Sequence, residues 1–186
     1  DTWGSATTDD NGEYSLGGLM PGSYKVQFQD WSHTYLPEFY NQAWTMEQAT
    51  VVQVPTDEDV AEIDAALSVA AQLSGRVTSA ATQQPLAGIS VTAVLWINSS
   101  WGASQHATTD SNGEYTIAGL MPGTYRVFFT DYTQTHSTEY YDNAPSIASA
   151  TDIPVASQAH ITGIDAALES ASSIAGTVTA LGGSPV

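Results

Sequence analysis

The residues most suited to chemistry are oxygen-bearing side chains in two short motifs of the same form. Each motif places an Asp, an Asn and a Glu at alternate positions around one glycine: Asp9, Asn11 and Glu13 in the first, and Asp110, Asn112 and Glu114 in the second. Oxygen ligands arranged in this way form half of a Ca²⁺-binding loop. A hairpin turn explains the same residues, because Asn-Gly adopts positive φ readily and Asp accepts backbone hydrogen bonds. We therefore expect turns and no required cofactor, with Ca²⁺ binding as the alternative.

Both motifs lie inside a longer stretch that occurs twice. Residues 7–28 and 108–129 are identical at 15 of 22 aligned positions, and the offset from Asn11 to Asn112 is 101 residues. The sequence Asp-Ala-Ala-Leu recurs at the same offset, at residues 64–67 and 165–168. A fixed period sets the structural unit, which here has the length of one small domain.

Aromatic side chains concentrate after each copy of the long stretch. They are Trp31, Tyr35, Tyr40 and Trp44 in the first copy, and Tyr132, Tyr140 and Tyr141 in the second. Aromatic rings stack on sugars or anchor protein interfaces. Tyr40 recurs as Tyr141, which favours packing or contact between repeats, whereas Trp44 is replaced by Pro145 and is suited to a copy-specific contact. We expect packing or interface roles, with glycan binding as the alternative.

No residue pattern indicates catalysis. None of the histidines recurs at the 101-residue offset, so none is built into the repeated unit: His33, His106, His136 and His160. No nucleophile-elbow motif frames a serine, and the absence of cysteine excludes thiolate chemistry and disulfides. The acidic run at residues 57–59 is explained by a solvated turn. We expect a protein that is not an enzyme.

The elements that must carry these residues are short strands. Within the second repeat, apolar and polar residues alternate in seven segments separated by turn residues. These segments are residues 73–78, 89–96, 104–109, 114–118, 124–129, 150–155 and 161–168. No segment has a helical period of helical length. The pattern predicts an all-β protein made of tandem seven-stranded antiparallel β-sandwich domains, Ig-like or prealbumin-like.

The period divides the chain into three parts. Residues 1–71 are predicted to form a sandwich that lacks its first two strands, and residues 72–171 a complete one. Residues 172–186 match the first strand of a third repeat, with Ile174, Gly176 and Val178 at its characteristic positions. Either the natural protein continues in both directions, which we favour, or this strand is donated to a neighbouring copy.

Composition excludes several classes of partner. The net charge is −17, from 20 acidic and only 3 basic residues. Such a surface cannot neutralise phosphates, so we expect no nucleic-acid binding. No apolar run is long enough to cross a bilayer, which predicts no membrane insertion. A surface rich in serine and threonine, with a single lysine, favours an extracellular or cell-surface location.

Four quoted motifs resemble one known family. They are S-G-x-V-T, P-L-A-G-I-x-V-x-A, the long stretch T-T-D-x-N-G-E-Y-x-I-x-G-L-x-P-G-x-Y-x-V, and the ending G-I-D-A-A-L. Together they are similar to the carboxypeptidase regulatory-like domain, a transthyretin-like or Cna-B-like β-sandwich. The resemblance implies stalk, spacer or adhesive modules. The Cna-B relative carries a Lys–Asn isopeptide bond, but Lys25 is replaced by Arg126 in the other copy, so we expect none here.

These observations predict a non-enzymatic extracellular structural protein. Its β-sandwich repeats would follow one another head to tail in a stalk, surface fibre or filament with an adhesive capacity, and its partners would be neighbouring repeats or copies of itself. The alternative is a glycan- or Ca²⁺-binding accessory module of a secreted hydrolase.

Overall fold

The structure, a computed structural model, describes residues 3–97 and 99–180. It divides into two compact units, which we call unit 1 and unit 2, with the boundary between Val69 and Ala70. The described residues are all-β and include no helix. Accordingly, no helix in that part of the chain has the length and apolarity to cross a membrane.

Unit 1 contains four short strands in the residues that the structure describes. They are β1 (Gly22–Tyr24), β2 (Gln27–Phe28), β3 (Glu38–Phe39) and β4 (Val52–Val54). Strand β1 pairs antiparallel with β4, and β2 pairs antiparallel with β3. The apolar residues that this unit buries lie in the segments around β3 and β4: Leu36, Ala43, Ala49 and Val52.

Unit 2 has nine strands within the described residues, several of them long. They are β5 (Ala71–Ser79), β6 (Ser90–Ile97), β7 (Ser100–Thr108), β8 (Glu114–Leu120), β9 (Gly123–Thr130), β10 (Glu139–Tyr140), β11 (Ile153–Val155), β12 (His160–Ile161) and β13 (Ala166–Leu168). One sheet runs β10-β9-β6-β7, with β11 also on β9. The other has β5 at its centre, between β8 on one edge and β12 and β13 on the other.

The two sheets of unit 2 pack face to face around one core. Alternate residues of β5 and β8 point inward and meet alternate residues of β6 and β9, as period-2 alternation requires. The largest of the fully buried side chains are Phe129, Leu73, Ile117, Leu120 and Leu168. The rings of Tyr115 and Phe129 meet edge to face at 6.1 Å, which joins the two sheets. Unit 2 is therefore a β-sandwich.

The sandwich is not wholly antiparallel, which corrects the sequence prediction. Strands β12 and β13 run parallel to β5. A chain that starts in one sheet and returns to it after visiting the other can arrive in either direction, and alternation within a strand does not report that direction. The predicted last strand is also divided in two, because Gly163 has a φ of 78° and interrupts it. A short strand that was not among the predicted segments, β10, lies between the predicted strands 124–129 and 150–155.

Candidate functional site

The two predicted acidic motifs form the same local turn in both units, but it is not the predicted hairpin turn. In unit 2 the strands on either side of it, β7 and β8, belong to different sheets, and in the described residues of unit 1 no strand flanks it. Asp110 Oδ1 accepts the backbone N–H of Asn112 at 2.8 Å and of Glu114 at 2.9 Å. Asp9 Oδ1 accepts the N–H of Asn11 and of Glu13, both at 2.9 Å. Gly12 and Gly113 adopt φ values of 81° and 74°, which favour glycine. The hydrogen bonds are those of an Asx-stabilised turn.

The donor set of the second turn does not favour a Ca²⁺ ion. Arg76 Nε donates a 2.9 Å hydrogen bond to the main-chain oxygen of Asn112, which places a positive charge at the loop. The Asp110 oxygen that would coordinate the ion already accepts two N–H groups. Within residues 3–97 and 99–180, no group of three His, Asp or Glu side chains could hold a metal ion. A cation would have to displace these contacts.

The predicted aromatic residues do not form one platform within either unit. In unit 1, Trp31 is 80% exposed and Trp44 53%, while Tyr35 is exposed and Tyr40 partly buried. In unit 2, Tyr132 is 79% exposed. The ring of Tyr140 lies 5.6 Å from that of Phe128, and Tyr141 packs against the core. The recurring tyrosines are thus partly buried, and the copy-specific tryptophans face solvent.

An aromatic pair that sequence reasoning missed lies at the ends of β6 and β7. The rings of Trp96 and Trp101 are 4.8 Å apart at an interplanar angle of 60°. The guanidinium of Arg126 lies over the Trp101 ring at 4.7 Å, and its Nε donates to Asp152 at 2.7 Å. Pairing of Trp96 with Trp101 across the hairpin brings the rings together. A register shift between Val94 and Trp96 sets this pairing, and strand alternation in the sequence does not report it.

Sequence reasoning also missed an aspartate that recurs in both units, Asp131 and Asp30, whose carboxylate accepts several hydrogen bonds from the loop that follows it. We call this arrangement the carboxylate staple. Asp131 is 8% exposed and accepts hydrogen bonds from the backbone and hydroxyl of Thr133, the hydroxyl of Thr135, and the backbone and Nδ1 of His136. Burial would raise the pKa of Asp131, but these hydrogen bonds outweigh it and hold the pKa well below its usual range. The pattern Asp-x-Ser/Thr-x-Thr, recurring at the 101-residue offset, was the available signal.

The counterpart staple in unit 1 uses Asp30. Its carboxylate accepts hydrogen bonds from the hydroxyl and N–H of Ser32 and the N–H groups of Thr34 and Tyr35. The Ser32 hydroxyl, then the backbone donors, lower the pKa of Asp30 to about 2. Tyr35 occupies the position that corresponds to His136, so unit 1 has no counterpart of the His136–Asp131 pair.

A basic side chain anchors the same loop in each unit. Lys25 Nζ donates to the main-chain oxygen of Met46, and Arg126 donates to the main-chain oxygen of Ile147, its counterpart. The residue is lysine in one copy and arginine in the other, yet the contact is kept. The only lysine of the chain is therefore engaged with backbone oxygens.

No cluster of groups arranged for catalysis lies in the most prominent depressions of the described residues. A shallow depression of about 290 Å³ is lined in part by Arg76, Glu139 and Asp165. Burial, and then the charge of Glu169, raises the pKa of Glu139. Asp165 Oδ1 accepts the backbone N–H of Arg76 at 2.8 Å and so serves the fold. No histidine lines this depression, and the hydroxyl of Thr78 in its lining donates to the main-chain oxygen of Ala166.

A long-range tyrosine hydrogen bond recurs in both units. Tyr115 Oη donates to the main-chain oxygen of Ile164 at 2.6 Å, and Tyr14 Oη donates to that of Ile63 at 2.7 Å. In unit 2, β5 runs beside this contact, because a Cβ added to Gly75 would lie 2.1 Å from the Ile164 oxygen. Unit 1 has the same contact without a strand in the β5 position.

The C-terminal segment carries the predicted donor residues. The described residues 172–180 belong to no strand of the two sheets, and Ile174 and Val178 are 103% and 76% exposed. A Cβ added to Gly176 would meet no atom within 4 Å. The remaining residues of the predicted third repeat, 181–186, lie outside the described part of the chain.

Comparison with known families assigns the chain. The carboxypeptidase regulatory-like domain matches residues 72–169, just over half of the sequence. The chain therefore belongs to the carboxypeptidase regulatory-like domain family, which confirms the resemblance inferred from the motifs. A search of curated proteins found no match.

Several solved structures are similar to this chain at low identity. One is the pilus 2b backbone protein of group B streptococcus, with 15% identity, a TM-score of 0.33, and coverage of 83% of this chain and 54% of that protein. Another is the shaft pilin SpaA of Lactobacillus rhamnosus GG, with 11% identity, a TM-score of 0.34, and coverage of 92% and 69%. A third is a minor pilin of Streptococcus agalactiae, with 16% identity, a TM-score of 0.32, and coverage of 94% of this chain and 71% of that protein. The chain spans about half the length of the first.

Proposed function

We propose that the protein is a non-enzymatic extracellular structural protein whose β-sandwich repeats follow one another head to tail in a stalk, surface fibre or filament. The observation that carries this proposal is the recurrence of structural contacts at the 101-residue offset. The Asx turn, the carboxylate staple, the basic anchor and the tyrosine hydrogen bond occur in both units. The histidines, by contrast, do not recur at this offset.

A repeated scaffold with variable surface groups is what an array requires. Each unit must bury its own core and join its neighbour through a short link, so selection acts on the contacts that set the fold. The links at residues 68–72 and 169–173 have equal length and are too short for free tumbling. The mechanism is therefore mechanical: the units provide reach, and the links limit the angle between them.

An extracellular or cell-surface location follows from the chemistry of the surface. The chain has no cysteine, one lysine and a net charge of −17. The negative charge keeps neighbouring copies apart at low salt and disfavours nucleic acid and anionic lipid. The partners in this proposal are neighbouring repeats and copies of the chain, and no cofactor is required.

The accessory-module alternative has weaker support. A Ca²⁺ role would require displacing the contacts of both Asx turns. Glycan binding by the predicted aromatic residues would require a common platform, but Trp31 and Tyr132 are solvent-exposed while Tyr141 packs against a core. An adhesive role would be better served by the Trp96–Trp101 pair, whose rings are already held together by the hairpin.

Immunogold electron microscopy of the source cells tests the proposal. Antibodies raised against residues 72–171 should label extended structures on the cell surface at regular intervals. Antibody absorbed with the purified protein is the control and should leave the cells unlabelled. Labelling confined to the cytoplasm, or a native protein that consists of dispersed monomers, would contradict the structural role.

A further inference from the structure

The Trp96–Trp101 pair lies on the outer face of a sheet in unit 2. The residues of β6 that enter the core share the other face of that strand: Val91, Ala93 and Leu95. Trp96 and Val94 alternate with them and therefore point outward. Trp96 pairs with Trp101 of β7, and Val94 pairs with Arg126 of β9. Because paired residues of neighbouring strands share a face, both tryptophans and Arg126 lie on this outer side.

The aromatic pair is held in one arrangement but remains open to solvent. Trp96 is 47% exposed, while Trp101 is partly buried. Trp101 is in contact with Trp96 on one side, and the guanidinium of Arg126 lies over its ring at 4.7 Å. The Arg126 side chain is itself only 16% exposed. A ligand that stacks on Trp96 would therefore meet a ring whose side-chain freedom is already reduced, which lowers the entropic cost of binding.

A carboxylate is fixed beside the aromatic pair by the same arginine. Arg126 Nε donates to Asp152 Oδ1 at 2.7 Å, and the Asp152 side chain is 56% exposed. The carboxylate is thus oriented and keeps acceptor capacity toward solvent. Asp152 directly precedes β11, which pairs with β9 on the side opposite β6. Trp101, Trp96, Arg126 and Asp152 therefore form a row across four neighbouring strands, ~14 Å long at the usual strand spacing.

The ion pair in this row is not required by the fold. At the 101-residue offset, Arg126 corresponds to Lys25 and Asp152 to Val51. Lys25 anchors its loop through a main-chain oxygen, as Arg126 does, although a valine occupies the position of the aspartate. The carboxylate of Asp152 is therefore a feature of the surface of unit 2, next to the tryptophans.

The chemistry of the row matches that of a neutral carbohydrate. Exposed aromatic side chains rimmed by polar groups mark a binding surface. The C–H groups on one face of a pyranose stack on the electron-rich face of an indole, and sugar hydroxyls donate to a carboxylate. The charges of Arg126 and Asp152 cancel, and a net charge of −17 disfavours acidic polysaccharides. A row of this length on an open sheet face suits several linked sugars better than one.

We propose that Trp96, Trp101 and Asp152 form a binding site for a neutral oligosaccharide. One sugar ring stacks on Trp96, which Trp101 holds in place. A hydroxyl of a neighbouring sugar donates to Asp152, which Arg126 holds in place. No bond is made or broken. The inference goes beyond the proposed structural role and does not depend on the head-to-tail arrangement of the units.

Affinity electrophoresis of the full chain tests this site. Native gels would contain a soluble neutral polysaccharide, namely a β-glucan, amylose, a galactomannan, an arabinogalactan or a xylan, and one further gel would contain the polyanion polygalacturonate. We expect slower migration in at least one neutral gel than in a gel without polymer, and no retardation by polygalacturonate. The dependence of mobility on polymer concentration gives the dissociation constant.

Variants of the row and a matched control locate the binding. Trp96→Ala should weaken binding about tenfold or more, because the stacking surface is removed, and Trp96→Tyr should restore part of it. Asp152→Val, which introduces the residue that unit 1 has at this position, should weaken binding without loss of the loop anchor. The control is Trp31→Ala. Trp31 is 80% exposed and stacks on no other ring in the part of the chain that the structure describes, so its removal should leave retardation unchanged.

Thermal unfolding followed by circular dichroism shows whether each variant is folded. Trp96→Ala should keep the melting temperature of the parent, because the side chain is exposed. If it does not, Asp152→Val still tests the site, since the aspartate is exposed and the fold of unit 1 has a valine there.

Three results would overturn the inference. These are no retardation in any of the neutral gels, equal weakening by Trp31→Ala and Trp96→Ala, and self-association in analytical ultracentrifugation that Trp96→Ala abolishes, which would assign this face to a second copy of the chain. Regularly labelled surface fibres without retardation would reject the carbohydrate site and leave the proposed function standing. Retardation together with unlabelled cell surfaces would reject the function and keep the site.

Discussion

Unit 1 and unit 2 carry nearly the same side chains but bury them to different extents. Tyr115 and Phe129 are 5% and 0% exposed in unit 2, while Tyr14 and Phe28 in unit 1 are only partly buried. The rings meet at almost the same distance in both units. Local contacts between neighbouring side chains therefore form without the full sandwich, whereas exclusion of water from them requires both sheets.

The strand pairings also differ between the two units. The pairs β1–β4 and β2–β3 of unit 1 correspond to β9–β11 and β9–β10 of unit 2. Every pairing of unit 2 that involves β5 or β6 has no counterpart in unit 1. Residues 13–19 and 114–120 have similar sequences, yet only the second segment forms a strand. A β-strand in this fold is thus a consequence of its partner more than of its own residues.

The largest expected effect comes from truncating a core residue of the unit 2 sandwich, compared with the residue that corresponds to it at the 101-residue offset. Leu73→Ala should lower the free energy of unfolding by about 2–5 kcal/mol, because Leu73 is fully buried and a cavity would remain. Ile174→Ala is the matched control and should change the stability of the monomer by less than about 0.5 kcal/mol. Urea denaturation followed by tryptophan fluorescence measures both. Equal losses would show that Ile174 is buried in solution.

Valine substitution should likewise destabilise the protein at Gly75 and not at the corresponding Gly176. Gly75→Val should destabilise unit 2 by about 3 kcal/mol, because its Cβ would lie 2.1 Å from a backbone oxygen that cannot easily move. Gly176→Val should leave the monomer unchanged. Hydrogen exchange of residues 114–120 reports on unit 2 alone. If exchange is unaltered in Gly75→Val, β5 does not pass Ile164 as closely as described.

Lowering the pH should reduce the stability contributed by Asp131 more than that contributed by Asp30. The pKa of Asp131 is lowered on folding, so the unfolded state takes up the proton first, and the stabilisation present above about pH 4 is lost as the pH falls below it. Asp131→Asn should cost about 2 kcal/mol at pH 7. That cost should shrink between pH 5 and pH 2, as measured by thermal unfolding monitored by circular dichroism.

Asp30→Asn is the matched variant for that experiment. Hydrogen bonds also lower the pKa of Asp30, to about 2, but the group is exposed to solvent, so we expect the same sign and a smaller change. An Asp131→Asn variant whose loss is independent of pH would show that the carboxylate contributes shape and not charge.

The smallest expected effect concerns the tyrosine hydroxyls. Tyr115→Phe should destabilise unit 2 by about 1 kcal/mol, because the phenol donates to the Ile164 oxygen in a buried setting. Tyr14→Phe removes the corresponding hydroxyl from a partly buried setting and should cost less. Differential scanning calorimetry compares the two variants. A larger loss for Tyr14→Phe would contradict this order and would indicate that the Tyr14 hydroxyl is more deeply buried than Tyr115.

The sequence allowed the all-β class and most strands of unit 2 to be predicted, because each strand has one buried face. The boundaries of β6 and β8 differ from prediction by one or two residues. The parallel direction of β13 could not be predicted, since alternation is the same in both directions. The Asx turns at Asn11 and Asn112 depend on local residues and could be predicted from the sequence. That the second turn connects two different sheets could not be, since the local residues are those of a hairpin.

Sites assembled from distant or irregular segments were harder to predict. The Trp96–Trp101 pair depends on a register shift in the β6–β7 hairpin, and no periodic signal reports such a shift. The staple at Asp131 involves residues within a loop, where burial of a carboxylate depends on the surrounding sandwich.

The parallel arrangement of β5 with β12 and β13 has a consequence for load. The start of β5 and the end of β13 lie at opposite ends of their shared edge, because the strands point the same way. Tension applied through the two ends of unit 2 therefore acts along the strands and shears their hydrogen bonds together, instead of unzipping them one at a time. The strand directions of unit 2 therefore give it the shear geometry, in which the hydrogen bonds between β5 and β13 share an applied load.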